Sequence, residues 1–385
     1  MKLSFLLIAL SLTALLLPLS IAASNGALIL LALAVLLRLR GAERARIISS
    51  WRAEPALLAL IAYVAAGLIS GAFGDGWAKS AADSLKDGHR LWSLGLFVAA
   101  LSLESAESVA PAVGAGLGLA ALVGLAQYAR NLAALHPERA HAFVHPVTYG
   151  EQMALGALVA GCAYARAESP RARRAAAVVA SLCALALLLS GTRAALLSLA
   201  AGALVAAVLE PRARRLAVAG FAFGTLGTAA GEWLRYGLAR FGWELGSAAA
   251  TGQNTRYFLW RAAWNMFRDH PWTGVGPGHY LTEFPRYHSG VLEGQTVWAS
   301  AHDLYLQQLA ERGLLGETVL LVLFVVLLTR AWRAARLRRD AGALCAAAAV
   351  PAFLVMNITE TAWQTEQFAT LFLLVWALGV ARRAD

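Results

Sequence analysis

The sequence predicts an all-α, polytopic transmembrane helical bundle of about 12 spans, with one large outer loop carrying short helices. Three observations predict it. Of 385 residues, 59% are hydrophobic and 15% charged, too apolar a balance for a soluble domain. Separated apolar runs approach the roughly 20 residues that a bilayer-crossing helix requires, and only helices satisfy their own backbone in lipid at these lengths. Lys and Arg concentrate in alternate connections, as they do in membrane proteins of fixed orientation.

The runs lie near 3–22, 25–38, 56–72, 90–103, 109–128, 146–165, 173–190, 194–209, 214–231, 303–329, 342–358 and 366–381. Several are short, so tilt and shielding by neighbours must help them. The opening "MKLSFLLIALSLTALLLPLSIAAS" resembles a signal peptide, with Lys2 and small residues near Ala22. A second apolar run, Ala27 to Leu37, follows at once and favours a retained helical hairpin. With the N-terminus inside, Lys2 and the segments "RLRGAERARIISSWR", "RAESPRARR", "EPRARR", "RAWRAARLRRD" and "ARRAD" hold 20 of the 33 basic residues. Both termini are therefore expected in the cytoplasm, and the net charge of +10 needs no nucleic-acid partner.

Three regions follow: a nine-span part over 1–231, the large loop over 232–300, and a three-span part over 301–385. A loop this long is functional or disordered, and this one has too many aromatics for disorder. Cys162, Cys183 and Cys345 stand singly in apolar runs and read as small buried residues. No CxxC, HExxH, Walker or dinucleotide glycine pattern occurs. His270, His279 and His288 in the loop form no tight ligand cluster, so no metal site is expected.

Three stretches can carry chemistry. In "SGTRAALLSL", Arg193 opens a span at its outer end, where a helix N-terminus and a guanidinium fork together suit a phosphate; the competing reading is a snorkelling interface arginine. In "NTRYFLWRAAWNMFRDHPWTGVGPGHY", Tyr257, Trp260, Trp264 and Phe267 form one helical stripe flanked by Arg256 on one side and Arg261 and Arg268 on the other. Such a helix suits the outer headgroup layer and also suits a lipid-linked phosphate, with Arg256 the better candidate and Arg261 second. Its "GVGPG" reads as a structural turn. In "SAHDLYLQQLAERGLLG", His302 heads a run to Thr329 whose 28 residues would span about 42 Å as continuous helix. The ring then stands at the level of lipid headgroups, where a neutral imidazole serves as a general base; a structural histidine is the alternative. Tyr305 and Arg312 share its side of the helix and are candidate pocket residues, as is His145 at the outer end of the sixth span.

The segments "SGTRAALL", "TRYFLWRAAWNMFRDHPWTGVGPGHY" and "AHDLYLQQLAERGLLG", in this order and spacing around a large outer loop, resemble the motif series of the O-antigen ligase/polymerase membrane family. "HPVTYGEQMAL" is similar to a further, weaker element. The motifs cover 190–316, and the span layout extends the likeness over nearly the whole chain. Asp303 departs from the asparagine frequent in the family after the histidine, which adds a charge beside the candidate base. The resemblance implies metal-independent, cofactor-free glycosyl transfer at the periplasmic face of the bacterial inner membrane, with the large loop periplasmic. The donor would be a glycan on undecaprenyl pyrophosphate, and the acceptor a sugar hydroxyl of lipid A–core (a ligase) or a growing glycan (a polymerase). By position, Arg193 and Arg256 would hold the pyrophosphate and His302 would activate the acceptor. A protein O-oligosaccharyltransferase fits less well, because such enzymes are usually longer. A polysaccharide exporter would line a route through the bilayer, whereas the candidate polar groups crowd one face. No paired carboxylates with glycosidase spacing are evident.

Overall fold

A computed structural model describes residues 4–74, 76–134, 138–215, 217–222, 225, 226, 229, 248–288 and 298–381. Among these residues all regular structure is helical. The first half holds α1 (Phe5–Leu16), α2 (Ile21–Leu39), α3 (Arg44–Ala53), α4 (Pro55–Phe73), α5 (Trp77–Lys86), α6 (Gly88–Leu101) and α7 (Ala106–Ala133). The second holds α8 (Pro146–Arg166), α9 (Pro170–Ser190), α10 (Arg193–Leu209), α11 (Ala248–Asp269), α12 (Tyr280–Tyr287), α13 (Leu304–Arg338), α14 (Ala341–Met356) and α15 (Glu366–Val380). Side-chain caps start many of them: Ser20 Oγ accepts from Ala23 N at 3.3 Å, and Ser169 Oγ from Ala172 N at 3.1 Å ahead of Pro170.

Among the described residues, five helices are long and apolar enough to cross a membrane: α2, α4, α7, α9 and α13. Helices α1, α10, α14 and α15 are apolar but shorter. The expected count of about 12 spans is not reached among the described residues, for identifiable reasons. The run at 90–103 is the 14-residue α6, and α8 carries Glu151 and Gln152 within its apolar length. The run at 214–231 is described only in part, as the helical residues 214, 215, 217–222, 225, 226 and 229. In the 232–300 loop, 232–247 and 289–297 lie outside the described residues, and the described parts are α11, α12, the turns between them and 298–300. Two of the short helices sit where neighbours cover them: α14 packs against α8, α10, α13 and α15, and α15 is buried from Gln367 to Val380. Cys162, Cys183 and Cys345 are buried and free.

The opening of α13 is not one continuous rod. Gly313 adopts φ 60°, ψ −162° and breaks the helix. At the break, the segment after α11 inserts its backbone. Leu314 N and Leu315 N, which would bond to Ala310 and Glu311 in an unbroken helix, donate to Pro271 O at 2.8 Å and Trp272 O at 3.2 Å. The two carbonyls so released accept from Val275 N at 2.9 Å and Gly276 N at 3.0 Å. These four backbone groups freed by the break are thus paired, as burial in an apolar protein demands. "HPWTGVG" is a backbone wedge that locks α11 to α13. It fixes the relation of Arg256 on one to the head of the other.

Candidate functional site

The site begins at the head of α13. Asp303 is its N-cap, and its Oδ1 accepts from Leu306 N at 2.9 Å. Ala301 N donates to Gln307 Oε1 at 2.7 Å, and Leu304 N to Asn357 O at 2.9 Å. Between these anchors His302 is held at φ 50°, in the left-handed region that a non-glycine residue seldom occupies. The turn aims the ring outward, with the side chain 38% exposed, and the indole of Trp298 meets it edge-on.

One carboxylate joins this ring to α11. Glu360 lies in the turn between α14 and α15, its side chain 10% exposed. Its Oε1 is 3.0 Å from Arg256 Nη2, and its Oε2 is 3.4 Å from His302 Nδ1. A carboxylate on Nδ1 favours the tautomer that carries its proton there, which leaves Nε2 as an acceptor for a substrate proton. Arg256 is half-buried and turns one end of its guanidinium to Glu360. Arg261, on the other flank of α11, is exposed together with Tyr257, Trp264 and Arg268. The buried stripe of this helix is Leu259, Ala262, Ala263 and Met266, with Trp260 packed against it, so Tyr257 and Trp264 of the aromatic stripe turn outward while Trp260 and Phe267 are half-buried.

The head of α8 borders the same site. His145 is its N-cap, with Nδ1 accepting from Val147 N at 3.3 Å. Partial burial and then the charge of Arg139 hold its imidazole below the ordinary value of 6.5, with smaller effects from Glu360, His302 and His141. Arg139 donates from Nε to Ser190 O at 2.5 Å and from Nη2 to Thr192 Oγ1 at 3.0 Å. Thr192 Oγ1 donates in turn to Pro146 O at 3.2 Å. A side chain at Gly150 would meet Thr192 Oγ1 at 2.5 Å and Ser190 Oγ at 2.7 Å, so glycine there lets "HPVTYG" and "SGTR" pack together. Arg193 follows Thr192 as the exposed first residue of α10. Deeper in α8, Glu151 Oε2 and both amide atoms of Gln152 are buried without a hydrogen-bond partner.

Two of the predicted pocket residues point elsewhere. The Tyr305 hydroxyl donates to Leu354 O at 2.9 Å, tying α13 to α14. Arg312 is 4% exposed, paired with Asp87 and stacked 4.5 Å over the Tyr63 ring. It lies ten residues along from His302, about 15 Å on a helix. The structure therefore gathers His302, Arg256 and His145, places Arg193 beside the Arg139 contact, and separates Arg312 and Arg261 from the ring. Sequence reasoning does not reach Glu360 or Arg139 as site residues. The only signal for Glu360 is polar "NITETAWQTE" between two apolar runs on the His302 side of the expected topology.

No curated protein matches this chain. Residues 176–321 match a family model described as O-antigen ligase, Wzy_C. The matched segment contains Arg193, Arg256, Arg261, His302, Tyr305 and Arg312, and it excludes His145, Arg139 and Glu360. Residues 176–321 are thus similar to an O-antigen ligase domain, and the chain of membrane helices that carries them is consistent with the O-antigen ligase/polymerase family.

Proposed function

We propose that this protein transfers a glycan from undecaprenyl pyrophosphate to a sugar hydroxyl of lipid A–core, at the periplasmic face of the bacterial inner membrane, without a metal. The observation that carries the proposal is Glu360 placed between Arg256 and His302. That arrangement joins a proton acceptor to a cation suited to the leaving group. His302 Nε2 takes the acceptor hydroxyl proton as its oxygen attacks the anomeric carbon. The bond from that carbon to the pyrophosphate oxygen breaks, and undecaprenyl pyrophosphate leaves with the electron pair. Negative charge grows on the leaving group, and Arg256 and Arg193 stabilise it in a partly dry site, where one removed partner costs about 10²–10³ in rate. Glu360 holds the His302 tautomer and offsets its positive charge after proton uptake. General-base catalysis of this kind contributes about 10²–10⁴.

Purified full-length protein, assayed with purified lipid-linked glycan and lipid A–core, tests this. His302→Ala is expected to lower transfer by about 10²–10⁴ while the protein still inserts. Arg193→Ala and Arg256→Ala are expected to weaken donor use. Full activity of the histidine variant would remove the base from the mechanism. In cells lacking the protein, loss of capped core with intact lipid-linked polymer marks a ligase. Core bearing a single repeat unit marks a polymerase instead.

A further inference from the structure

The turn that presents Glu360 runs from Asn357 to Trp363, with the glutamate midway between its two feet. Asn357 is fully buried, and both polar atoms of its side chain are bonded. Its Nδ2 donates to Phe353 O at 2.8 Å, in the last turn of α14. Its Oδ1 accepts from Trp363 N at 3.0 Å and so closes the turn across its base. Its backbone carbonyl accepts from Leu304 N at 2.9 Å. That N–H is one of the orphan donors of the first turn of α13, two residues beyond His302. The opposite foot is held as well: Trp363 O accepts from Arg90 Nε at 2.9 Å, and the Arg90 guanidinium lies 4.9 Å over the Trp363 ring. Arg90 is itself paired with buried Asp87.

We infer that Asn357 is a positioning residue that sets the separation of the His302 ring from the Glu360 carboxylate. The inference rests on the reading of His302 as base and Glu360 as its partner. A glutamate on a free turn samples several rotamers, and a histidine at positive φ relaxes when its surroundings allow. The Asn357 side chain closes the turn that carries Glu360, and its backbone carbonyl bonds the His302 helix, so the closed turn is held in one place against that helix. Asn357 touches no substrate in this scheme; it acts through Glu360.

A double-mutant cycle on the full-length protein tests this, with kcat and donor KM measured for Asn357→Ala, Glu360→Gln and the pair. Asn357→Ala is expected to lower kcat about tenfold with donor KM little changed, because residues in one network couple strongly. In the Glu360→Gln background the same change is expected to cost about twofold or less, since the group it positions is already disabled. Additive losses would show general destabilisation and overturn the inference, as would an unchanged kcat in Asn357→Ala. Should Asn357→Ala fail to give monodisperse protein, Asn357→Ser takes its place in the cycle: coupling to Glu360 supports the positioning role, and additivity overturns it. Full activity of Glu360→Gln would overturn the functional reading itself. A loss there, with Asn357 inert, overturns only the positioning role.

Discussion

At residue 302 the backbone carries a conformation that costs about 1–3 kcal/mol for a side chain other than glycine, and the neighbours account for its persistence. Asp303 caps the helix on one side, while Gln307 holds Ala301 on the other. An asparagine at 303 would present the same acceptor that Leu306 N needs. Asp303→Asn is therefore expected to unfold within about 0.5 kcal/mol of the parent, and Asp303→Ala to lose about 1 kcal/mol. Thermal or denaturant unfolding in detergent measures both. A large loss in the asparagine variant would mean that the Asp303 charge, not its capping oxygen, is the property that matters.

At the scale of elements, the broken α13 and the wedge of 271–276 decide where the candidate groups meet. Run length alone makes His302 to Thr329 one helix, and "GVGPG" a turn near the membrane. The turn agrees with the structure, whereas the continuous helix misses the break. Glycine at 313 and the glycines after Trp272 are compatible with ordinary turns, and nothing local announces that one segment enters the backbone ladder of the other. At Gly313 a Cβ would meet the backbone of Trp272 and Thr273, and φ is 60°. Gly313→Ala is accordingly expected to destabilise the protein by at least about 1–3 kcal/mol, seen as a lower unfolding midpoint. Transfer is expected to fall as well, because Arg256 loses its register against His302. An alanine variant with unchanged midpoint and activity would mean that the wedge does not hold α11.

Across the whole molecule, the arginine-rich connections and the candidate site belong to opposite ends of the expected topology. The three native cysteines are buried, so single introduced cysteines can report orientation. Leu337→Cys, at a position 83% exposed near the end of α13, is expected to react with a membrane-impermeant maleimide only after permeabilisation. Trp272→Cys, at a position 72% exposed beside the wedge, is expected to react in intact spheroplasts. The reverse pattern would put the site in the cytoplasm and rule out a periplasmic reaction. The span count is a property of this scale too. Helices such as α14 and α15 are short for a bilayer, and burial among other helices lets them remain so.

Apolar content, run length and the placement of arginine were enough to determine a helical membrane protein, because lipid accepts little else. The three motifs likewise single out His302, Arg193 and Arg256 without any knowledge of contacts. Glu360, 58 residues beyond His302, and Arg139 in a loop before α8 became partners only through packing. Tertiary structure also decided that Arg312 serves Asp87 and that Asn357 joins two turns. The physical reason is that periodicity reports which side of its own helix a residue occupies. Which distant backbone or carboxylate meets that side depends on how the helices cross.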